Sequence, residues 1–391
     1  MKGMTLDSVL DGYQALAPSL VPQGERPLVT ERRGTKALPF ARVEVTSDGL
    51  AELAARPEVV AVMPDQAVHL VAPTAARRLS NGERPAVAEV TPGLEILRIP
   101  ELWAAAGTRG GDIVVGVADT GVYAGHPALS GRIADFAIID PLRRPITTSA
   151  PFDVGNHGTH VCGTIVGQAD DRGTQIGVAP DARAAVTATL VGSASLGTLL
   201  ESLAWLTAKG AAIINLSLGF SYFEPQFGTV LRDLERDGVL VVAAIGNEHH
   251  GNTSSPGNSR LALAVGAAAI DLPGVGIAAF SSGASLADEA DPTIHVVKPD
   301  VVAPGVDVYS CVPNPNGTDV NGYMMMDGTS MATPHVAGVA AVLRAAKRTA
   351  TPSDVANALR STAQHPRGTG SAPDNRWGHG FIDPLAALAA L

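Results

Sequence analysis

Four stretches in the middle of the chain are almost wholly apolar for six or seven residues: IVVGVA at 113–118, AAVTATL at 184–190, AIINLS at 212–217 and VLVVAA at 239–244. Strands that alternate apolar and polar positions cover one face only, so unbroken runs like these predict strands buried on both faces. That is the signature of a mainly parallel sheet with helices on either side, an α/β fold in three layers. Sites in such sheets form beyond the carboxyl ends of the strands. Asp119 directly follows the first run, and Asn247 lies three residues past the last. The first seventy residues read differently. LPFARVEV at 38–45 alternates like a strand, SDGLAELAA at 47–55 is a short helix capped by Ser47, and EVVAVMP at 58–64 is a second strand, which makes a β-α-β unit. Upstream, Leu6, Val9, Leu10, Tyr13 and Leu16 recur at helical spacing and predict one more helix over 5–17. The Pro, Gly, Ala and charge content that follows is that of an exposed linker. The expected organisation is a small α+β domain at 1–72, a linker at 73–92 and a large α/β domain at 93–391.

Composition agrees with a turn-rich globular protein: 391 residues, 46% hydrophobic, 42 glycines and 28 prolines, with 4% aromatics. The formal charge of −10 argues against a nucleic-acid or anionic-membrane partner. The longest apolar stretches, such as LALAVGAAAI at 261–270, are about half the roughly 18 to 20 residues that span a bilayer, so no membrane helix is expected. Asp7, Asp11 and Gly12 interrupt any apolar core of a secretory signal, and the expectation is a cytoplasmic protein. Cys162 and Cys311 are too few for a disulfide framework and have no metal-ligand spacing; Cys162 reads as a small buried residue. No cofactor or metal is expected.

The chemistry lies in three separated segments: VADTGVYAGHP at 117–127, NHGTHVCGTIVG at 156–167 and DGTSMATPHVAGVAAVL at 327–343. Each sets one functional side chain among glycines and small residues, and together they supply an acid, an imidazole and a hydroxyl. The hydroxyl of Ser330 is far too weakly acidic to attack an amide at neutral pH without a base, and His157 can be that base. Asp119 would then fix the imidazole tautomer and stabilise the imidazolium. Val336, Val339, Ala340 and Leu343 mark a buried helical face, which puts Ser330 at or just before a helix N-terminus, where the dipole and its own N–H favour an oxyanion. His126 and His335 sit within these motifs at packing positions and are left out of the catalytic set.

These segments resemble the subtilisin-like serine peptidases over roughly residues 94–391, with VADTG, HGTHVCGTI and GTSMATPHVAG similar to the aspartate, histidine and serine motifs in family order. The resemblance implies the subtilisin-like three-layer fold and hydrolysis of peptide bonds through an acyl-enzyme on Ser330. AAIGNEHH at 243–250 is similar to a fourth family motif and makes Asn247 the oxyanion donor. INLSLGF at 214–220 resembles the strand that pairs with substrate, which assigns Ser217, Leu218, Gly219 and Phe220 to substrate binding. SSPGN, with Ser254, resembles a wall of the pocket for the residue before the cut, and the Phe220 ring is expected either to crowd the rim of that pocket or to pack away from it. The N-terminal unit is similar to the family's inhibitory propeptide, which implies that residues 1–72 block the cleft as an intramolecular inhibitor. The family's calcium site near the histidine helix takes a carboxylate from HPDL. Here HPAL puts Ala128 in that place, whose methyl group cannot coordinate the cation; no tight calcium is expected, although Asp170 and Asp171, in the loop GQADDRG, could supply ligands to a rearranged site. A peptidyl transferase or cyclase could run on the same triad, but no large insertion separates His157 from Asn247. A non-catalytic binding module would carry a broken triad, and this triad is complete.

Overall fold

A computed structural model describes residues 32–34, 39–41, 47–57, 59, 62–79, 83–271, 274–287, 293, 295–313 and 322–391. The expected helix over 5–17 lies outside the described residues. Pro39–Ala41 is a strand paired antiparallel with Arg32–Gly34, and Ser47–Ala54 is a helix. Of the strand expected over 58–64, residues 58, 60 and 61 lie outside the described residues, and 62–64 join no ladder.

Next come two strands at the edge of the large domain, β1 (His69–Leu70) and β2 (Ala75–Arg78). The large sheet is built from β3 (Val114–Asp119), β4 (Ile133–Ile139), β5 (Pro145–Ile146), β6 (Arg183–Ala188) and β7 (Ile213–Leu216). After the short β8 (Leu218–Gly219) it continues with β9 (Leu240–Ala244), β10 (Leu263–Asp271), β11 (Gly274–Ile277) and β12 (Val301–Pro304). Its nine strands run in the order β11-β10-β9-β7-β3-β6-β4-β5, with β12 also on β10. All pairs are parallel except β10 with β11 and β4 with β5. Each of the four apolar runs falls on one of these strands, with boundaries moved by a residue or two; Asp119 is the last residue of β3.

Two apolar cores lie on the two faces of the sheet. One holds helices α1 (His157–Val166) and α4 (Thr329–Ala346), with Val161, Ile165, Val336, Val339 and Leu343 fully buried. The other holds α2 (Leu196–Ala208) and α3 (Phe227–Arg236), with Leu199, Leu203, Phe227 and Leu234 fully buried. β13 (Val308–Val312) and β14 (Gly322–Asp327) form an antiparallel pair to which β2 adds a third strand. The stretch expected to be an exposed linker therefore carries a strand at 75–78, and from residue 92 it continues into the short helix Pro92–Ile96. Among the described residues, no helix is long and apolar enough to cross a membrane.

Candidate active site

Parallel pairing brings the carboxyl ends of β3 and β9 to the same edge of the sheet, and helices α1 and α4 begin there. Asp119 closes β3 with its side chain fully buried, and His157 is the first residue of α1. Their side chains meet: His157 Nδ1 lies 2.9 and 3.0 Å from the two Asp119 carboxylate oxygens. The approach depends on two glycines. Gly121 has φ +114°, in the left-handed half of the map, and a Cβ on Gly158 would sit 2.0 Å from the Gly121 carbonyl oxygen. A side chain at Gly158 would push the start of α1 off the turn after β3, and one at Gly121 would clash with the Phe152 carbonyl.

A layer of oxygens behind this pair holds it. The Thr120 hydroxyl accepts from Gly158 N (2.9 Å) and donates to Asp153 Oδ1 (2.7 Å). Asp153 Oδ2 accepts from both the amide (2.9 Å) and the hydroxyl (2.6 Å) of Thr159 in the first turn of α1. Asp153 thus caps the helix that presents His157, and its charge lies at the favourable end of the helix dipole. It falls just upstream of the histidine motif, and its distance of four residues from His157 was the only sign of its role in the sequence.

Ser330 is the second residue of α4 and fully buried. Asn247 is turned by its neighbour: Oδ1 accepts from the Thr329 amide and hydroxyl, both at 2.9 Å, so that Nδ2 faces the cleft. Glu248 Oε2 accepts from the Asn247 amide at 2.9 Å. The four residues picked out for chemistry are therefore brought together, but the serine is not bonded to the histidine. Ser330 Oγ donates to the carbonyl of Val71 (2.5 Å), Asn247 Nδ2 donates to the carbonyl of Ala72 (2.7 Å), and His157 Nε2 is buried with no hydrogen-bond partner among the described residues.

Val71 and Ala72 belong to a stretch that runs through the whole cleft. On one side Leu196 N donates to Gln66 O and Val68 N to Ala194 O. On the other, β1 pairs antiparallel with β8, with Leu70 opposite Leu218 and His69 opposite Gly219, and Val71 N donates to Ser217 O at 3.2 Å. Asp65, ahead of this strand, accepts from Gly197 N at the start of α2 and pairs with Arg143. Past Ser330, Thr74 N donates to Asp327 O (2.8 Å), and β2 runs antiparallel to β14 with Ala75 opposite Asp327 and Arg78 opposite Met324. Ser217, Leu218 and Gly219 thus form an edge that residues 69–71 occupy. Gly219 is required there, because a Cβ would lie 1.9 Å from the Ser255 carbonyl oxygen. Ser254 is buried, with its Oγ 3.4 Å from Glu248 Oε2. Of the two placements open to Phe220, the structure shows the packed one. Its ring is buried, stacked on Tyr222 (4.9 Å) and edge-on to Phe227 of α3 (6.1 Å), in the core and not at a pocket rim.

The remaining candidates have structural partners. His126 and His335 bond to the carbonyls of Gly322 and Met331, and burial pushes both down to about 4. Burial raises the Cys162 thiol well above its ordinary value and pushes Cys311 up to about 12, which keeps both protonated and unreactive. Asp170 accepts from Tyr309 (3.0 Å) and the Thr174 amide (3.0 Å), and Asp171 pairs with Arg84.

The profile of the Subtilase family matches residues 110–380. M-protease of Shouchella clausii (strain KSM-K16) is 33% identical over 284 residues, 72% of this chain and 65% of that protein. The major intracellular serine protease of Bacillus subtilis (strain 168) is 32% identical over 66% of this chain and 76% of its own length. Subtilisin E of the same organism is 28% identical over 93% of this chain and 87% of its own. The match thus spans slightly under two thirds of M-protease. Among solved structures, fervidolysin from Fervidobacterium pennivorans, described as a keratinolytic enzyme related to subtilisin, superposes with a TM-score of 0.66 at 24% identity, over 83% of this chain and 51% of that one, and so shares the fold. With the Asp119–His157 pair, Ser330 at a helix start and Asn247 beside it, all inside the matched region, the chain belongs to the subtilase family.

Proposed function

We propose that this chain is a serine endopeptidase acting on peptide or protein substrates, and that its own residues 65–78 hold it inactive. The observation that carries the reading is the passage of an extended strand across Ser330, with main-chain hydrogen bonds on both sides of it. An extended peptide adding to a sheet edge is how such a cleft takes substrate. With the strand gone, Ser330 Oγ is free to turn to His157 Nε2, which has no partner among the described residues while the strand is seated. His157 takes the hydroxyl proton as the oxygen attacks the substrate carbonyl, Asp119 stabilises the imidazolium, and the oxyanion faces Asn247 Nδ2. His157 then protonates the leaving amine, and water repeats the sequence on the acyl-enzyme.

The test is labelling by a fluorophosphonate before and after processing of the N-terminal segment. The intact chain is expected to label slowly, the processed chain fast and Ser330→Ala not at all. A processed chain that resists the reagent overturns the assignment of Ser330, and an intact chain that labels as fast as the processed one overturns the inhibitory role of residues 65–78.

A further inference from the structure

Arg84 is a charged side chain enclosed like a core residue. Its side chain is 3% exposed, with the guanidinium carbon 4.4 Å from the centroid of the Tyr323 ring and Nη1 paired with Asp171. A planar cation can stack by its face and donate from its edge at once, which a lysine ammonium cannot. Tyr323 is itself held on two sides: Tyr309 stacks on it at 5.1 Å, and His126 meets it edge-on at 5.1 Å. The groups around the cation come from three separate parts of the chain. His126 lies in the segment that follows Asp119, and Asp171 in the loop that follows α1, the helix opened by His157. Tyr309 is on β13 and Tyr323 on β14, which leads into the start of α4 and Ser330.

The way the N-terminal segment is attached changes along its length. β2 is held through its main chain, with all four side chains exposed, and a contact of that kind can be exchanged for another. From Arg84 onward the attachment is specific. Arg172 donates to Pro85 O (3.0 Å), Gln175 N to Glu89 O (2.9 Å) and Thr91 N to Gln175 O (3.1 Å), which binds this stretch to the loop after α1. Withdrawing the arginine would open a hole beside Tyr323 and take from Asp171 its counter-charge.

We propose that the pocket between Tyr323 and Asp171 is a guanidinium seat, and that Arg84 in it is a positioning residue that joins the segments carrying Asp119, His157 and Ser330. The active chain therefore keeps Arg84, and whatever is removed ends ahead of it. The inference rests on the endopeptidase reading and adds to it a residue outside the cleft.

The test uses the full chain and two probes: ethylguanidinium, which has the planar fork, and ethylammonium, which has only the charge. In the Ser330→Ala background, Arg84→Ala is expected to lower Tm by roughly 5 to 10 °C. Ethylguanidinium at tens of millimolar should recover part of that loss, and ethylammonium should not. In the processed active chain, well below melting, Arg84→Ala should lower kcat about tenfold on a quenched-fluorescence peptide with KM little changed. Ethylguanidinium should restore it, and Arg84→Lys should fall between the variant and the wild type. The intact mass of the processed wild type should place its first residue at or ahead of Arg84. Full kcat in Arg84→Ala overturns the positioning role even if Tm falls, and so does a rescue that ethylammonium matches. An active chain whose first residue lies beyond Arg84 overturns it as well. Should Arg84→Ala not fold, Arg84→Lys carries the comparison, and a kcat equal to wild type there overturns the proposal. If the wild type itself cuts no peptide and takes no fluorophosphonate, the endopeptidase reading falls and this inference with it, whatever the melting curves show.

Discussion

Asp153 illustrates how much of a triad depends on groups outside it. Its two oxygens hold Thr120, Gly155 and Thr159, and so fix the turn after β3 to the first turn of α1. Asp153→Ala is expected to cost about 1 kcal/mol of stability, the usual loss for a helix cap. It should also lower kcat about tenfold with KM little changed, since the imidazole loses its fixed position against Asp119. A variant with the stability loss and full kcat would show a carboxylate that only supports the fold. Asn247→Ala should cut kcat about 100- to 1,000-fold, the loss found when the oxyanion asparagine of subtilisin itself is removed. Thr329 gives a check on orientation: with the Asn247 carbonyl oxygen held by two Thr329 donors, Thr329→Ala should lower kcat and leave KM unchanged in steady-state assays.

At the scale of elements, the strands of the large sheet and the four residues that the structure brings together at the candidate site, Asp119, His157, Asn247 and Ser330, were legible in the sequence. Buried parallel strands have to be apolar throughout, and nucleophile, base and acid need glycines and small residues about them, so both leave a local trace. β2 left none. AARR carries no alternation, because its side chains face solvent and its attachment is through the backbone, and such a strand has the composition of a linker. The sequence leaves Phe220 open between pocket rim and core for a related reason. A position next to the substrate edge can turn its side chain into the core beneath, and that depends on α3, which is distant in sequence. The seated strand also makes a prediction about Pro73. Val71 is aligned with the Ser217 edge, but Asn247 holds the carbonyl one residue further on, so attack at Val71 lacks its oxyanion donor. Proline at 73 fixes φ and restricts Ala72 to extended backbone, which maintains this offset. Pro73→Ala should therefore speed self-cleavage near residues 71–73 several-fold, measured by mass spectrometry of the intact chain over time. Unchanged processing would mean that the offset has another cause.

For the whole molecule, buried imidazoles set the acid limit. Burial pushes His126 and His335 down to about 4 and His160 to about 3, against an ordinary value near 6.5. Above pH 6.5 these groups are neutral in both states and their stability is fully present. Between about 6.5 and 4 the unfolded chain takes up protons that the folded chain refuses, so stability falls as pH drops, by up to about 1.4 kcal/mol per pH unit for each histidine. Urea unfolding of Ser330→Ala, which cannot digest itself, should show a clear loss from pH 7 to pH 5, and a flat profile would contradict buried neutral imidazoles. Calcium should matter little. Asp170 and Asp171 are engaged by Tyr309 and Arg84, and position 128 is an alanine, so melting in chelator and in millimolar calcium should agree within about 2 °C. A rise of ten degrees with calcium would reveal a tight site. The strand across the cleft has one more consequence, in how the protein responds to dilution. Because it is covalently continuous with the rest of the protein on both sides of Ser330, it is present at an effective concentration of the order of millimolar, however dilute the protein. An uncut chain should stay latent at any concentration. On the proposed inhibition, a single cut would turn the strand into a ligand held by its affinity alone, and each molecule freed would cut its neighbours. Activity should then appear after a lag that shortens as protein concentration rises.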